Sequence, residues 1–234
     1  MEQQTGFREF FRYTALSVLG TLGVSCYILA DTFFVSKGLG ANGLTALNLA
    51  IPVYNFIHGT GLMLGMGGAT RFCVCKSRQR REKVNQIYTN TLYLGALFSA
   101  VFVLIGLFFG KRLSLLLGAD KNVLDMTATY LKWLLLFSPA FILNDILLCF
   151  VRNDDNPRLA MTAMIIGSFS NIILDYIFIF PMKMGIFGAI FATGLSPIIS
   201  IISMLPHWVK RKNTFHVCRT KVKTHSKHFS ESLP

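Results

Sequence analysis

Six stretches of the sequence are each long and apolar enough to cross a lipid bilayer, and they constrain the fold more than any other feature. They fall near residues 13–35, 44–70, 86–110, 124–151, 159–181 and 185–206. A hydrocarbon core of about 30 Å takes about 20 mostly apolar residues in helical form. Charged residues make up 15% of the chain, where ordinary soluble domains carry roughly a quarter. Helices satisfy their own backbone groups in lipid, so the expected fold is an all-α membrane protein, a six-helix transmembrane bundle. The short connections favour antiparallel neighbours in one compact unit. The second and fourth stretches exceed a simple crossing and are expected to tilt or kink. Pro52, Pro139 and Pro197 lie inside the second, fourth and sixth spans, where each frees a backbone carbonyl and marks a kink or hinge. Gly61 and Gly65 in the second span have the small-xxx-small spacing that lets another helix approach closely.

A net charge of +12 raises the question of nucleic acid, but the placement of the basic residues answers it. Of the 23 lysines and arginines, 17 fall on one side of the six-span arrangement and 6 on the other. The richer side holds Arg8, Arg12, the run from Arg71 to Lys83, Arg152, Arg158 and the basic tail. Cytoplasmic loops carry the Lys/Arg excess. Both termini are therefore expected in the cytoplasm, with the chain multi-pass in the plasma membrane and its basic loops against anionic lipid. No folded platform with interleaved aromatics accompanies these runs, so no nucleic-acid partner is expected. The first span is too long for a signal h-region and lacks a small-residue cleavage site. Cys73 and Cys75 sit at a cytoplasmic helix end without the two further ligands a zinc site needs. Residues 1–206 thus read as a transmembrane domain and 207–234 as a basic cytoplasmic linker, polar and without order of its own. Its last residues, 228–234, resemble the polar lead-in at 7–15, as though a further helix were about to begin.

Ionisable side chains inside a bilayer are costly and mark functional positions. Asp31, His58, Asp145 and Asp175 stand out. Counting about 1.5 Å of rise per residue, Asp31 lies roughly 7 Å and Asp175 roughly 9 Å from the outer ends of the first and fifth spans. Tyr130 and Thr193 enter from the same side to a similar depth, and Asn171 precedes Asp175 by one helical turn. Oxygen ligands at one level suit a hard cation; two desolvated carboxyls side by side equally suit a shared proton. Asp145, next to Asn144, bonds to neighbouring polar groups on this reading, and His58 is an interhelical donor. Asn48 and Asn55, seven residues apart on one helix face, are candidate cavity-lining residues together with Asp145, or else hold helices together by interhelical hydrogen bonds.

The run Val151-Arg-Asn-Asp-Asp-Asn-Pro-Arg-Leu-Ala-Met161, followed by Gly167-Ser-Phe-Ser-Asn-Ile-Ile-Leu-Asp-Tyr-Ile-Phe-Ile-Phe180, resembles the multidrug and toxic compound extrusion (MATE) transporters. So do Asp31-Thr-Phe-Phe-Val-Ser-Lys-Gly-Leu-Gly40 and Leu44-Thr-Ala-Leu-Asn48. The likeness runs from about Phe7 to the linker and is strongest to Firmicute multidrug pumps. It implies one lobe of a twelve-helix antiporter that exports cationic, amphipathic drug-like molecules in exchange for sodium or protons. In the family, the cation site of this lobe uses positions that match Asp31, Asn171, Asp175, Thr193 and Tyr130 here. The resemblance implies no enzyme activity and no cofactor, with sodium or a proton as coupling ion and no metal beyond that sodium. Asp155 departs from the family, which often has glycine at that point of the loop. A second lobe is the partner such a half implies.

Three rival readings accompany this one. A lipid-linked sugar flippase of the same superfamily would want cationic side chains facing a central cavity, and no span has Lys or Arg near its middle. An intramembrane aspartyl protease would need a Gly-x-Gly-Asp segment, which is absent from the sequence. A non-transporting membrane fragment, or a half-transporter dependent on a partner, fits the same residues as the antiporter.

Overall fold

A computed structural model describes residues 2–209 and 213–218, with side chains at residue 11 and from residue 14 onward. It is helical throughout its core. In chain order the helices are α1 (Glu2–Ser77), α2 (Arg81–Leu116), α3 (Leu124–Leu136), α4 (Ser138–Asn153), α5 (Pro157–Ile179), α6 (Gly185–Met204) and the short α7 (Pro206–Val209). A straight 76-residue α1 would run well over 100 Å at about 1.5 Å per residue, several bilayer cores deep. It is broken at Gly40, whose φ of 69° and ψ of −162° lie outside helical space. A Cβ there would meet nothing within 4 Å, so glycine is required by the left-handed backbone and not by space. The two arms fold back on each other, because Tyr27 and Tyr54, nearly equidistant from Gly40 in sequence, touch through their hydroxyls.

The stretch Thr14–Ser77 is therefore two crossings, and α2, α5 and the α6 region supply three more. The sixth is made by α3 and α4 together, which meet at a bend of 47°. Pro139 sits in the first turn of α4, just past that bend, and the Phe137 ring at the corner presses on Gly194 of α6. Of the three interior prolines expected to kink helices, this is the one at a break; Pro52 and Pro197 lie within continuous helix. The result is a multi-pass membrane bundle. Its helices overrun the apolar stretches, α2 starting at Arg81 and ending at Leu116, because polar ends stay helical where they leave the hydrocarbon.

Close approaches fix the packing. On the second arm, an added Cβ at Gly61 would come 2.7 Å from Asp145 Oδ2, and one at Gly65 would come 3.1 Å from the Asp145 carbonyl. Glycine lets this arm lie directly against α4. The first arm runs beside α5, with Gly20 against Met164 and Gly38 against Ile179. Helices α5 and α6 pair antiparallel, joined where Ser196 Oγ donates to the Gly167 carbonyl at 2.8 Å.

The segment after α6, expected to lack order, is docked where it is described. Phe215 is fully buried, its ring 4.5 Å from Tyr88 and 5.6 Å from both Phe72 and Phe150 between centroids. His216 N donates to Asn85 Oδ1 at 2.8 Å and Cys218 N to Thr89 Oγ1 at 3.0 Å. One buried aromatic and an edge of backbone donors supply what apolar periodicity did not show. Residues 210–212 and 219–234, including the lead-in expected at 228–234, lie outside the described residues.

Asp154 anchors this end of the bundle, where the basic loops gather. Its side chain is fully buried and accepts from Lys76 Nζ at 2.9 Å, His207 Nε2 at 3.0 Å, Thr214 N at 2.8 Å and the Thr214 hydroxyl. Burial alone would push its carboxyl up, but the Thr214 side-chain and backbone donors, then Lys76 and His207, hold it below the usual carboxylate range. Burial likewise disfavours the Lys76 charge, yet hydrogen bonds to Asp155 and Asp154 keep its pKa above the ordinary value. Asp155, where glycine is common in the family it resembles, has φ 59°. The turn demands a left-handed residue, and aspartate is among the side chains that tolerate it.

Candidate functional site

The five residues expected at one level converge in the half of the bundle away from the basic end. Asp31 comes from the first arm of α1, Tyr130 from α3, Asn171 and Asp175 from one face of α5, and Thr193 from α6. All five are buried, Asn171 and Asp175 completely. The Asp31 and Asp175 side chains face each other within hydrogen-bonding reach. Asn171 Nδ2 donates to Thr193 Oγ1 at 3.5 Å, Thr193 Oγ1 donates to the Ala189 carbonyl at 3.0 Å, and the Tyr130 hydroxyl is within reach of Thr193.

What this cluster lacks decides its chemistry. Asp31 Oδ1, both carboxylate oxygens of Asp175 and Asn171 Oδ1 are buried without a donor among the described residues. Unpaired buried oxygens carry the full desolvation cost, and two adjacent carboxylates add mutual repulsion. A proton between the carboxyls or a hard cation among the oxygens would relieve both terms. The residues present fit either.

Beside this cluster lies a cavity of about 610 Å³, within the roughly 300–1,000 Å³ usual for small-molecule sites. It is walled by both arms of α1 and by α4, α5 and α6, and it extends from Thr193 to Arg152 and Asn153 near the basic end. Thr193 belongs to both the cavity and the carboxyl cluster; Asp31 and Asp175 do not line the cavity. Both His58 and Asp145 line it, with His58 Nδ1 and Asp145 Oδ2 2.9 Å apart across the second arm and α4; His58 Nε2 is buried without a partner among the described residues. Asn48 and Asn55 are exposed and do not line this cavity. Leu62 and Met66, which share their helix face at the other end of the arm, do line it.

Two residues escaped the sequence reading. Tyr27 and Tyr54 meet by their hydroxyls between the carboxyl cluster and the His58–Asp145 pair, and the Tyr54 ring lies 4.4 Å from that of His58. A signal was present: Tyr27 precedes Asp31, and Tyr54 precedes His58, by one helical turn, as Asn171 precedes Asp175.

Comparison with known proteins points one way. A family model described as MatE matches residues 17–177. The chain is 24% identical over 212 residues to multidrug export protein MepA of Staphylococcus saprophyticus, covering 91% of this chain and 47% of that protein. It is 26% identical over 216 residues to MepA of Staphylococcus aureus strain MRSA252, covering 92% and 48%. Among solved structures, the outward-facing conformation of a multidrug resistance MATE family transporter of the MOP superfamily superposes with a TM-score of 0.82 at 27% identity, over 89% of this chain and 46% of that one. An inward-facing conformation of such a transporter gives 0.77 at 28% identity, over 82% and 44%. The chain spans about half the length of the curated relatives it matches.

Proposed function

The chain belongs to the MatE family, and from that premise we propose that residues 1–206 are one six-helix lobe of a multidrug/cation antiporter. On this reading it exports cationic, amphipathic compounds in exchange for sodium or protons, with 207–234 leading toward a second lobe. It resides in the plasma membrane with both termini cytoplasmic. The observation that carries the reading is the Asp31–Asp175 pair, buried among oxygens that have no donor among the described residues. A cluster that needs a cation or a proton to be stable can bind one and release it. Coupling follows if its occupancy changes the packing of α5 and α6 against the first arm. Family members known by name, such as the MepA proteins, are multidrug exporters, which supports a drug-like substrate class and a transporter over an enzyme.

The test is Asp175→Asn in this lobe joined to a second lobe. Ion-coupled export of ethidium should fall to background while membrane insertion is unchanged. Export that survives this substitution would remove Asp175 from the coupling step. The lobe expressed alone should confer little resistance, because alternating access requires two lobes rocking about a shared site.

A further inference from the structure

At the end of the bundle opposite the basic loops, an open groove of about 480 Å³ runs between α2 and α3. Gly106, Gly110 and Ala128 give it a floor of backbone and small side chains, and Lys111, Lys132 and Asp125 stand around it. Lys132 is the unusual member. Counting about 1.5 Å of rise per residue, it lies roughly 12 Å below the start of α3 at Leu124. An added Cβ at Gly110 would come 3.7 Å from the Lys132 Cβ, so this lysine leaves α3 beside the last residue of an apolar stretch. It is exposed there and has no ion-pair partner among the described residues. A lysine exposed at that depth is costly and calls for a counter-charge. Helix side chains lean toward the helix N-terminus, and α3 begins at the membrane surface, so the alkyl stem carries the ammonium outward to headgroup level. Lys111, one residue past Gly110, brings a second ammonium to the same groove. Its carboxylate neighbour Asp125 is 3.8 Å away with a side chain 92% exposed, too open to water to cancel the charge. The Thr129 hydroxyl is committed to the Asp125 carbonyl at 2.8 Å. Of the six Lys and Arg assigned to this end, four lie between residues 111 and 132, on the side where topology signals are not expected.

We propose that this groove holds an anionic phospholipid, its phosphate at Lys111 and Lys132 and an acyl chain along Leu107 and Phe108. Charge, depth and shape favour a lipid over a free anion. Two ammonium groups against one exposed carboxylate leave a net positive charge at the lip of the groove. Basic pockets between transmembrane helices are the kind of site that anionic headgroups occupy. Leu107 and Phe108 line the same groove and are 51% and 72% exposed. A free anion would leave that apolar surface uncovered, whereas a lipid covers it with hydrocarbon while its phosphate meets the lysines. The inner end of the groove is shut. An added Cβ at Gly106 would come 2.6 Å from the Leu135 Cβ and 3.3 Å from the Lys132 carbonyl, so α2 and α3 touch there. The lipid therefore stays at the surface of the bundle, apart from the carboxyl cluster and from the cavity that Thr193 lines. The proposal is independent of the export reading above.

The experiment uses the full chain with Trp208→Phe, which leaves Trp133, next to Lys132, as its one tryptophan. It is reconstituted in vesicles where a fixed fraction of the lipid is dibrominated phosphatidylglycerol or dibrominated phosphatidylcholine, whose bromines quench tryptophan at short range. Both leaflets carry the same lipids, so the outcome does not depend on which way the chain is inserted. The anionic lipid should be enriched at Trp133 by about fivefold, the size expected of one net basic residue near a membrane surface. Lys111→Gln combined with Lys132→Gln should remove the enrichment, and Asp125→Asn should raise it. Lys121→Gln, which lies between the two helices and outside the groove, should leave it unchanged. The substituted side chains are exposed, and monodisperse elution checks that each variant folds. The proposal is overturned if the two lipids quench equally, if neither quenches, or if the double substitution keeps the enrichment. It is overturned as well if Asp125→Asn lowers the enrichment or Lys121→Gln removes it. Displacement of the lipid by inorganic phosphate, beyond that caused by chloride at equal ionic strength, would assign the groove to a free anion and overturn it too. Survival of export in Asp175→Asn would remove the coupling reading and leave these quenching results standing.

Discussion

Asp154 and Asp175 are both aspartates with buried carboxyls at opposite ends of one bundle, and their surroundings could hardly differ more. Four donors from Lys76, His207 and Thr214 converge on Asp154. Neither oxygen of Asp175 has a donor among the described residues, and the carboxyl beside it belongs to another aspartate. A buried charge that is fully partnered ties elements together: Asp154 links the end of α1, the α4–α5 turn, α7 and the strap at Thr214. A buried charge left unpartnered does the reverse, since it raises the energy of the bundle until something enters. Burial alone therefore does not separate structure from function in a membrane protein. The donor inventory around the charge does.

The largest effects should come from exchanging the two roles. Asp175→Asn removes an orphaned charge and supplies a donor toward Asp31, so thermal stability should hold or rise while coupled export is lost. Asp154→Ala should do the opposite. It leaves the buried His207 and the Thr214 donors without their acceptor while Lys76 keeps Asp155, a loss of about 1–3 kcal/mol, seen as a lowered unfolding temperature of the solubilised chain. Equal destabilisation by both substitutions would erase the contrast.

The strap offers a sharper version. Phe215→Ala vacates a pocket bounded by Phe72, Tyr88, Phe150 and Trp208, at a cost near the lower end of the roughly 3–5 kcal/mol typical of buried Phe→Ala changes. It should release the segment at 213–218 without altering the carboxyl cluster. A loss of about 1–3 kcal/mol is expected from Gly40→Ala, because φ 69° with ψ −162° stays strained for alanine although the space is open.

Much of this was legible because membrane constraints are strong and local. Six apolar stretches gave six crossings, and the depth of Asp31, Asn171, Asp175, Tyr130 and Thr193 followed from helical rise along each span. What rise cannot give is the extent of a cavity. Asn48 and Asn55 share a face, but their sequence spacing does not say where along it a cavity begins; Leu62 and Met66 on that face reach the cavity and the two asparagines do not. The break at Gly40 was hidden because the surrounding residues keep helical preference up to it, so a loop was expected where one residue suffices. Phe215 was missed for a different reason: a single buried ring carries no periodicity. Its pocket is assembled from Phe72, Tyr88 and Phe150, far apart in sequence.

The smallest expected effect is a flat line. Asp154 has a depressed pKa in the folded chain, so its contribution is fully present above the unfolded aspartate value of about 3.9 and is lost only as pH falls through the lower folded value. Lys76 has a raised one; its contribution is complete below about 10.4 and fades as pH rises through the higher folded value. The two windows overlap, so strap docking should not change between about pH 5 and 9. Trp208 packs 5.8 Å from Phe215 between ring centroids and reports on it directly. In a Trp133→Phe background its emission maximum should stay constant over that range and shift to the red in stronger acid. Thr214→Val removes a hydroxyl donor and leaves the backbone donor in place, so the acid limit should move up toward the unfolded value. A red shift that begins near neutral pH in the unsubstituted strap would show that Asp154 is not the group that holds it.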